Sequence, residues 1–178
     1  MARSRRNGLL FLWIASVIVV ADVITKRLAV AELVPRYVPK QVIGDWIQMR
    51  LVYNQGAAFG IYLGVWSRWI FVALTVVAVV ILARMILHTK EGDWFRVTAI
   101  AMVVGGALGN LIDRLRSAQG VVDFIDVGVG AHRWPTFNVA DMGVSVGAVL
   151  LAWVLWQEDE QGSHVSDGTP AAISERST

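Results

Sequence analysis

Cysteine is absent from the 178 residues, which excludes disulfides, thiol nucleophiles and thiolate metal sites. Histidine occurs three times, and His88 and His132 stand at no metal-ligand spacing, so a histidine-based metal centre has no support either. Charge is scarce: 17% of residues are charged while 56% are apolar. Such a chain has too little polar surface to coat a soluble globule, and its composition is that of a membrane protein. No basic patch interleaved with aromatics is present, so the sequence carries no footprint of nucleic-acid binding. No internal repeat is found.

What is there is four long apolar stretches. Crossing a bilayer takes roughly 20 apolar residues in helical form, and backbone polar groups in lipid must pair within the segment. The sequence therefore predicts membrane helices over residues 8–28, 69–87, 97–112 and 139–156. The first resembles a secretory leader in part, with basic "MARSRR", an apolar core and "AVA" at 29–31. Asp22, Lys26 and Arg27 would lie between core and cut, a poor cleavage region, so the segment reads as a retained helix. Trp66, Trp69, Trp94, Trp134, Trp153 and Trp156 fall near the expected helix ends, where an amphipathic ring favours the headgroup layer; Trp13 does not. Arg3, Arg5 and Arg6 before the first span, with Arg84, Lys90 and Arg96 around the second connection, place both termini in the cytoplasm. The long first outer segment, which carries Lys26, Arg27, Arg36, Lys40, Arg50 and Arg68, runs against that tally.

Two of the four prolines, Pro35 and Pro39, interrupt helix after the first span, and Gly44 offers a turn. "WIQMRLVYN" then alternates, with Ile47, Met49, Leu51 and Tyr53 on one face and Gln48 and Arg50 on the other, the period of a strand. An outer β-platform over about residues 35–60 is expected, ending in "NQGAAFG" at 54–60. "VVDFIDV" reads as a further short strand. Residues 157–178 carry too little apolar surface to fold and read as a disordered cytoplasmic tail.

Ionisable residues within such stretches are costly and are functional candidates by default. Asp22 and Lys26 are one helical turn apart, the spacing of an ion pair that carries both into the span. Asn110 and Arg114 are likewise a turn apart, and Asp113 beside them reads as a local partner of the arginines. "NVAD" has the form of a capping box, Asn138 at the cap and Asp141 three residues on, so Asp141 serves either the helix or a site. Asp123, between Val122 and Phe124, has no basic partner nearby in sequence. Asp126, three positions along a strand, faces away from Asp123, so only one of them shares a site with Asp141. Gly105 with Gly109, and Gly143 with Gly147, are spaced for close helix packing. "GVSVG" at 143–147 matches a serine-hydrolase pattern, but it lies inside a helix with no preceding strand. From these residues alone two classes stay open: a peptidase built on paired acids, and a proton-coupled transporter or channel using Asp22, Asp113 and Asp141 as a relay.

Taken in order, "DVITK", "NQGAAFG", "GGALGNLIDR", "GVVDFID" and "FNVAD" make the chain from about Leu10 to Trp156 resemble the prolipoprotein signal peptidase family, signal peptidase II. The resemblance implies an all-α polytopic membrane protein: four transmembrane helices with a small extracytoplasmic β-cradle, in the bacterial cytoplasmic (inner) membrane. It implies an aspartic endopeptidase that cuts a prolipoprotein signal peptide before its diacylglyceryl-cysteine, among membrane phospholipids and with no metal or organic cofactor. Carried over by motif, the catalytic pair is Asp123 and Asp141. The supporting positions are Asn54, Gly56, Asn110, Arg114, Asn138, Asp22 and Lys26, and the loop around Phe59 would cover the site. Met142, where the family pattern leads one to expect a small polar residue, is a departure.

Overall fold

The structure, a computed structural model, describes residues 2–56 and 63–166. Among the described residues four long helices carry the chain: α1 (Ala2–Glu32), α2 (Ser67–Leu87), α3 (Trp94–Arg116) and α4 (Val139–Ser166). All four are long and apolar enough to cross a membrane. Between α1 and α2 lie β1 (Lys40–Ile43) and β2 (Ile47–Asn54), and between α3 and α4 lie β3 (Val121–Val129) and the short β4 (His132–Arg133). The strands form one antiparallel sheet in the order β1-β2-β3-β4. The architecture is a mostly helical polytopic membrane fold with a small sheet at one end.

α3 is the central helix, packed on α1, α2 and α4. Its Val97, Ala99, Ile100 and Ala101 are fully buried, whereas α2 and much of α1 and α4 turn valine, leucine and isoleucine outward, as lipid-facing helices do. Glycines allow the close approach. A Cβ on Gly105 would stand 3.0 Å from the Ala15 backbone of α1, and one on Gly147 would stand 2.8 Å from the Ala99 carbonyl. Small residues at such crossings replace the hydrophobic drive that lipid cannot supply. Trp66, Trp69 and Trp94 are exposed near helix ends, and Trp153 and Trp156 are exposed near the end of the apolar span Val139–Glu158. A second apolar cluster, Ala29, Leu33, Leu51, Val122 and Phe124, fastens the last turns of α1 to the sheet.

Three expectations need correction. α4 does not stop at Trp156: the helix runs on to Ser166, so the first part of the expected disordered tail is helical. Gln157, Glu158 and Glu160 lose little rotamer freedom in a helix, and an already nucleated helix propagates through them. The platform is not confined to 35–60, because β3 and β4 from the second outer connection complete it. The strict alternation of β2 fails too, since the register shifts between Met49 and Val52; Gln48 is buried and donates to Asp45 at 2.6 Å. A bulge of this kind inserts an unpaired residue and re-aims its neighbours. Phe59 and the residues beyond Ser166 lie outside the described residues.

Candidate active site

Asp123 sits on β3 and Asp141 in the first turn of α4, both lining one cavity of about 840 Å³. One residue holds both. The Asn138 side-chain amide donates to Asp123 Oδ1 at 2.7 Å, and the Asn138 backbone N–H donates to Asp141 Oδ2 at 3.2 Å. The Asp141 backbone N–H returns a bond to Asn138 Oδ1 at 2.8 Å. The capping box expected from "NVAD" is thus present, and it does not compete with a site role. The carboxylate that caps the helix also faces the cavity.

Each acid has a second amide. Asn54 Nδ2 donates to Asp123 Oδ2 at 3.1 Å, and Asn110 Nδ2 donates to Asp141 Oδ1 at 2.8 Å. Burial, and next the neighbouring Asp141 charge, push the Asp123 carboxyl from 3.8 up to about 7, against the opposing pull of Asn54, Asn138 and Lys26. A carboxyl tuned to that range titrates where a general acid or base works best.

Behind the pair lies a buried polar layer. Lys26 is 3% exposed and Asp22 fully buried. The Lys26 ammonium contacts Asp22 Oδ2 at 2.7 Å, Asp113 Oδ2 at 2.9 Å and Asn110 Oδ1 at 2.8 Å, which uses its three hydrogens. Asp22 Oδ1 also accepts the Ala140 N–H of α4 at 2.9 Å. Asp113, expected to partner arginines, instead binds Lys26 and the Val122 N–H; its helical phase turns it toward α1. Asp22 and Asp113 are therefore counter-ions of one lysine, and neither lines the cavity. Arg114 reaches the Gly56 carbonyl at 2.9 Å, and the Gly56 N–H donates to Asn54 Oδ1 at 2.9 Å. All nine residues carried over by motif are thus at one end of the bundle: six line the cavity, Asn138 bridges the two acids, and Asp22 and Lys26 lie behind them.

Sequence reasoning missed several parts. Much of the rest of the cavity wall comes from Trp134–Phe137 and from Met142, Val144 and Val146 of α4, mostly apolar with a few converging polar groups, as ligand sites are. Arg68 donates to the Arg114 carbonyl at 2.5 Å and to that of Leu115 at 2.9 Å, capping α3. Gly120, at φ +97°, lets β3 begin against the Asn54 carbonyl, where a Cβ would collide with backbone. Asp126 faces away from the pair as expected and is held by Arg50 and Arg133. Among the described residues no group of three or more His, Cys, Asp or Glu is placed to hold a metal ion.

Residues 14–157 match the family model described as signal peptidase (SPase) II. A lipoprotein signal peptidase of Xanthomonas campestris pv. campestris is 39% identical over 152 residues, covering 84% of this chain and 90% of its own. One from Paraburkholderia phymatum is 40% identical over 145 residues, covering 80% and 85%, and one from Rhodococcus jostii is 44% identical over 152, covering 83% and 72%. A solved bacterial membrane enzyme, determined by the in meso method at 2.3 Å, superposes with a TM-score of 0.75 at 27% identity, covering 94% of this chain and 93% of that one. The matched span takes in both aspartates and every side chain bonded to them, and the chain belongs to the signal peptidase II family.

Proposed function

We propose that the protein removes the signal peptide from diacylglyceryl-modified prolipoproteins, with Asp123 and Asp141 activating water to cut before the lipidated cysteine. The observation that carries this reading is the pair of carboxylates joined through Asn138 in a largely apolar cavity. Two acids so placed share one proton more readily than they lose both. Burial favours Asp123 as the member that holds it up to about pH 7. Asp141, whose oxygens each accept an N–H bond at a helix N-terminus, is the base.

A water between them gives a proton to Asp141 as its oxygen bonds to the scissile carbonyl carbon, and Asp123 protonates the carbonyl oxygen. The product is a neutral gem-diol. When its C–N bond breaks, the leaving nitrogen takes the proton from Asp141, and a diol hydroxyl returns one to Asp123. No covalent adduct with the enzyme forms, and the dyad ends as it began. Asn54, Asn110, Asn138 and Arg114 position rather than react. The signal helix lies along the exposed apolar faces of the bundle with the acyl chains in lipid. Arg3, Arg5 and Arg6 in the first turns of α1 argue for both chain ends in the cytoplasm, with the cavity toward the extracytoplasmic face.

The test uses the purified chain in lipid nanodiscs with a diacylglyceryl-modified precursor. Cleavage is expected in the parent, in chelator as well, and is expected to fall by roughly a thousandfold or more in Asp123→Asn and Asp141→Asn. Full cleavage by either variant would end the proposal. Proton flux in liposomes that disappears with Asp22→Asn would favour the relay instead.

A further inference from the structure

The face of β3 turned away from the catalytic pair carries a buried ion cluster that the reaction above does not use. Asp126 is 1% exposed. Its Oδ2 is 3.0 Å from Arg50 Nε, and its Oδ1 is 2.9 Å from Arg133 Nε. Arg133 also donates to the Asp126 carbonyl at 3.1 Å and to the Asp45 carbonyl at 2.6 Å. The Arg50 Nε–H is shared, reaching Thr136 Oγ1 at 3.3 Å as well.

Thr136 belongs to the strip Trp134–Phe137, which forms one wall of the cavity. Its two ends are tied to β3 by backbone: Trp134 N–H to the Val127 carbonyl at 2.8 Å, and Phe137 N–H to the Ile125 carbonyl at 3.0 Å. Between them Pro135 has no N–H to give, and the side-chain bond from Arg50 holds the middle. A carboxylate that aims two arginines at once fixes both in a way one neutral partner does not, because the fork geometry of guanidinium is directional.

We propose that Asp126 is a positioning residue for substrate binding: acting through Arg50 and Arg133, it holds the Trp134–Phe137 strip as the rigid wall against which the peptide around the cleaved bond lies. This rests on the cavity being the peptidase site. It predicts damage to binding rather than to the chemical step, since neither proton-transfer group touches the cluster. Ordering a wall before substrate arrives removes that entropic cost from binding.

The experiment compares Thr136→Val, Arg50→Lys, Asp126→Asn and the double variant Asp126→Asn/Thr136→Val with the parent, all as full chains in nanodiscs cleaving the diacylglyceryl-modified precursor. KM is expected to rise about tenfold in Asp126→Asn and severalfold in Thr136→Val, with kcat held within about twofold. The double variant is expected to be no worse than Asp126→Asn alone, because both break one path. Parent KM in Thr136→Val and Arg50→Lys overturns the proposal, as does a lower kcat at parent KM or strict additivity. If Asp126→Asn does not fold, Thr136→Val and Arg50→Lys decide, since neither removes the buried carboxylate. Asp123→Asn runs in the same assay. Its activity would sink the dyad reading, while the KM comparison with the parent still reports on the wall.

Discussion

The Lys26 ammonium stands 2.8 Å from the side-chain oxygen of Asn110, and with the Asn138 amide, which donates to the same oxygen at 3.1 Å, it decides which way the Asn110 amide points. An ammonium only donates, so the oxygen must face it. The Asn110 nitrogen is then left to donate to Asp141 at 2.8 Å. A lysine two helices away thus presents a donor to one member of the proposed catalytic pair, without lining the cavity itself.

Removing that lysine strands acids. Lys26→Met leaves Asp22 and Asp113 without their shared cation, and Asp22 is fully buried. Breaking a buried ion pair from one side costs about 3–5 kcal/mol, which for a chain of this size is a fall of roughly 10 °C in thermal midpoint. Lys26→Met/Asp22→Asn should recover part of it, because one stranded charge is gone. Melting curves in detergent check this. A single Met variant that melts with the parent would show the pair to be dispensable.

The raised Asp123 carboxyl makes a pH prediction with a definite sign. The group is pushed from 3.8 to about 7, so it holds its proton below that value and loses it above. Cleavage that needs a proton on the dyad should decline above pH 7, approaching tenfold per unit. Between 3.8 and about 7 the native state binds this proton more than the unfolded chain does, so the contribution of Asp123 to stability falls as pH rises through that window and is flat above it. In Asp141→Asn the midpoint should drop below 7 yet stay above 3.8, because the Asp141 charge is only the second cause and burial the first. Carboxyl-labelled NMR reads the midpoint directly. A value unmoved by the substitution would mean that the two acids do not feel one another.

The spans were legible because apolar length is a one-dimensional property. Residues 97–112 announce α3 by composition even though the helix continues to Trp94 and Arg116. The two aspartates stood out as candidates only because several motifs occurred in order, and the structure brings both to one cavity. Taken singly, Asp141 looked like a helix cap, and it is one. What stayed hidden depends on contacts across long sequence separations. Asp113 looked paired with the arginines beside it until helical phase aimed it at Lys26 on another helix. Arg68 gave no local sign of capping α3, since its carbonyl partners are more than forty residues away. The bulge in β2 replaced a plain alternation that no single residue contradicted.

Gly109 offers the sharpest test of how tightly helix packing and the site are joined. A Cβ there would stand 2.6 Å from Asp22 Oδ2 and 3.2 Å from Ala140 Cβ. Asp22 has no room to yield, because its other oxygen accepts the Ala140 N–H at 2.9 Å while Lys26 holds the first at 2.7 Å. Gly109→Ala must therefore push α3 from α1 and from the first turn of α4, where Asp141 sits. Overpacking of this kind costs about 1–3 kcal/mol, and a small displacement of a reacting group can cost roughly a hundredfold in rate. Both thermal midpoint and kcat should fall. Gly8→Ala is the matched control, since nothing lies within 4 Å of its added Cβ; in a helix that change should be neutral or slightly stabilising. If the two alanine variants melt and cleave alike, α3 does not press on Asp22 as described, and the link between the glycine crossing and the position of Asp141 is wrong.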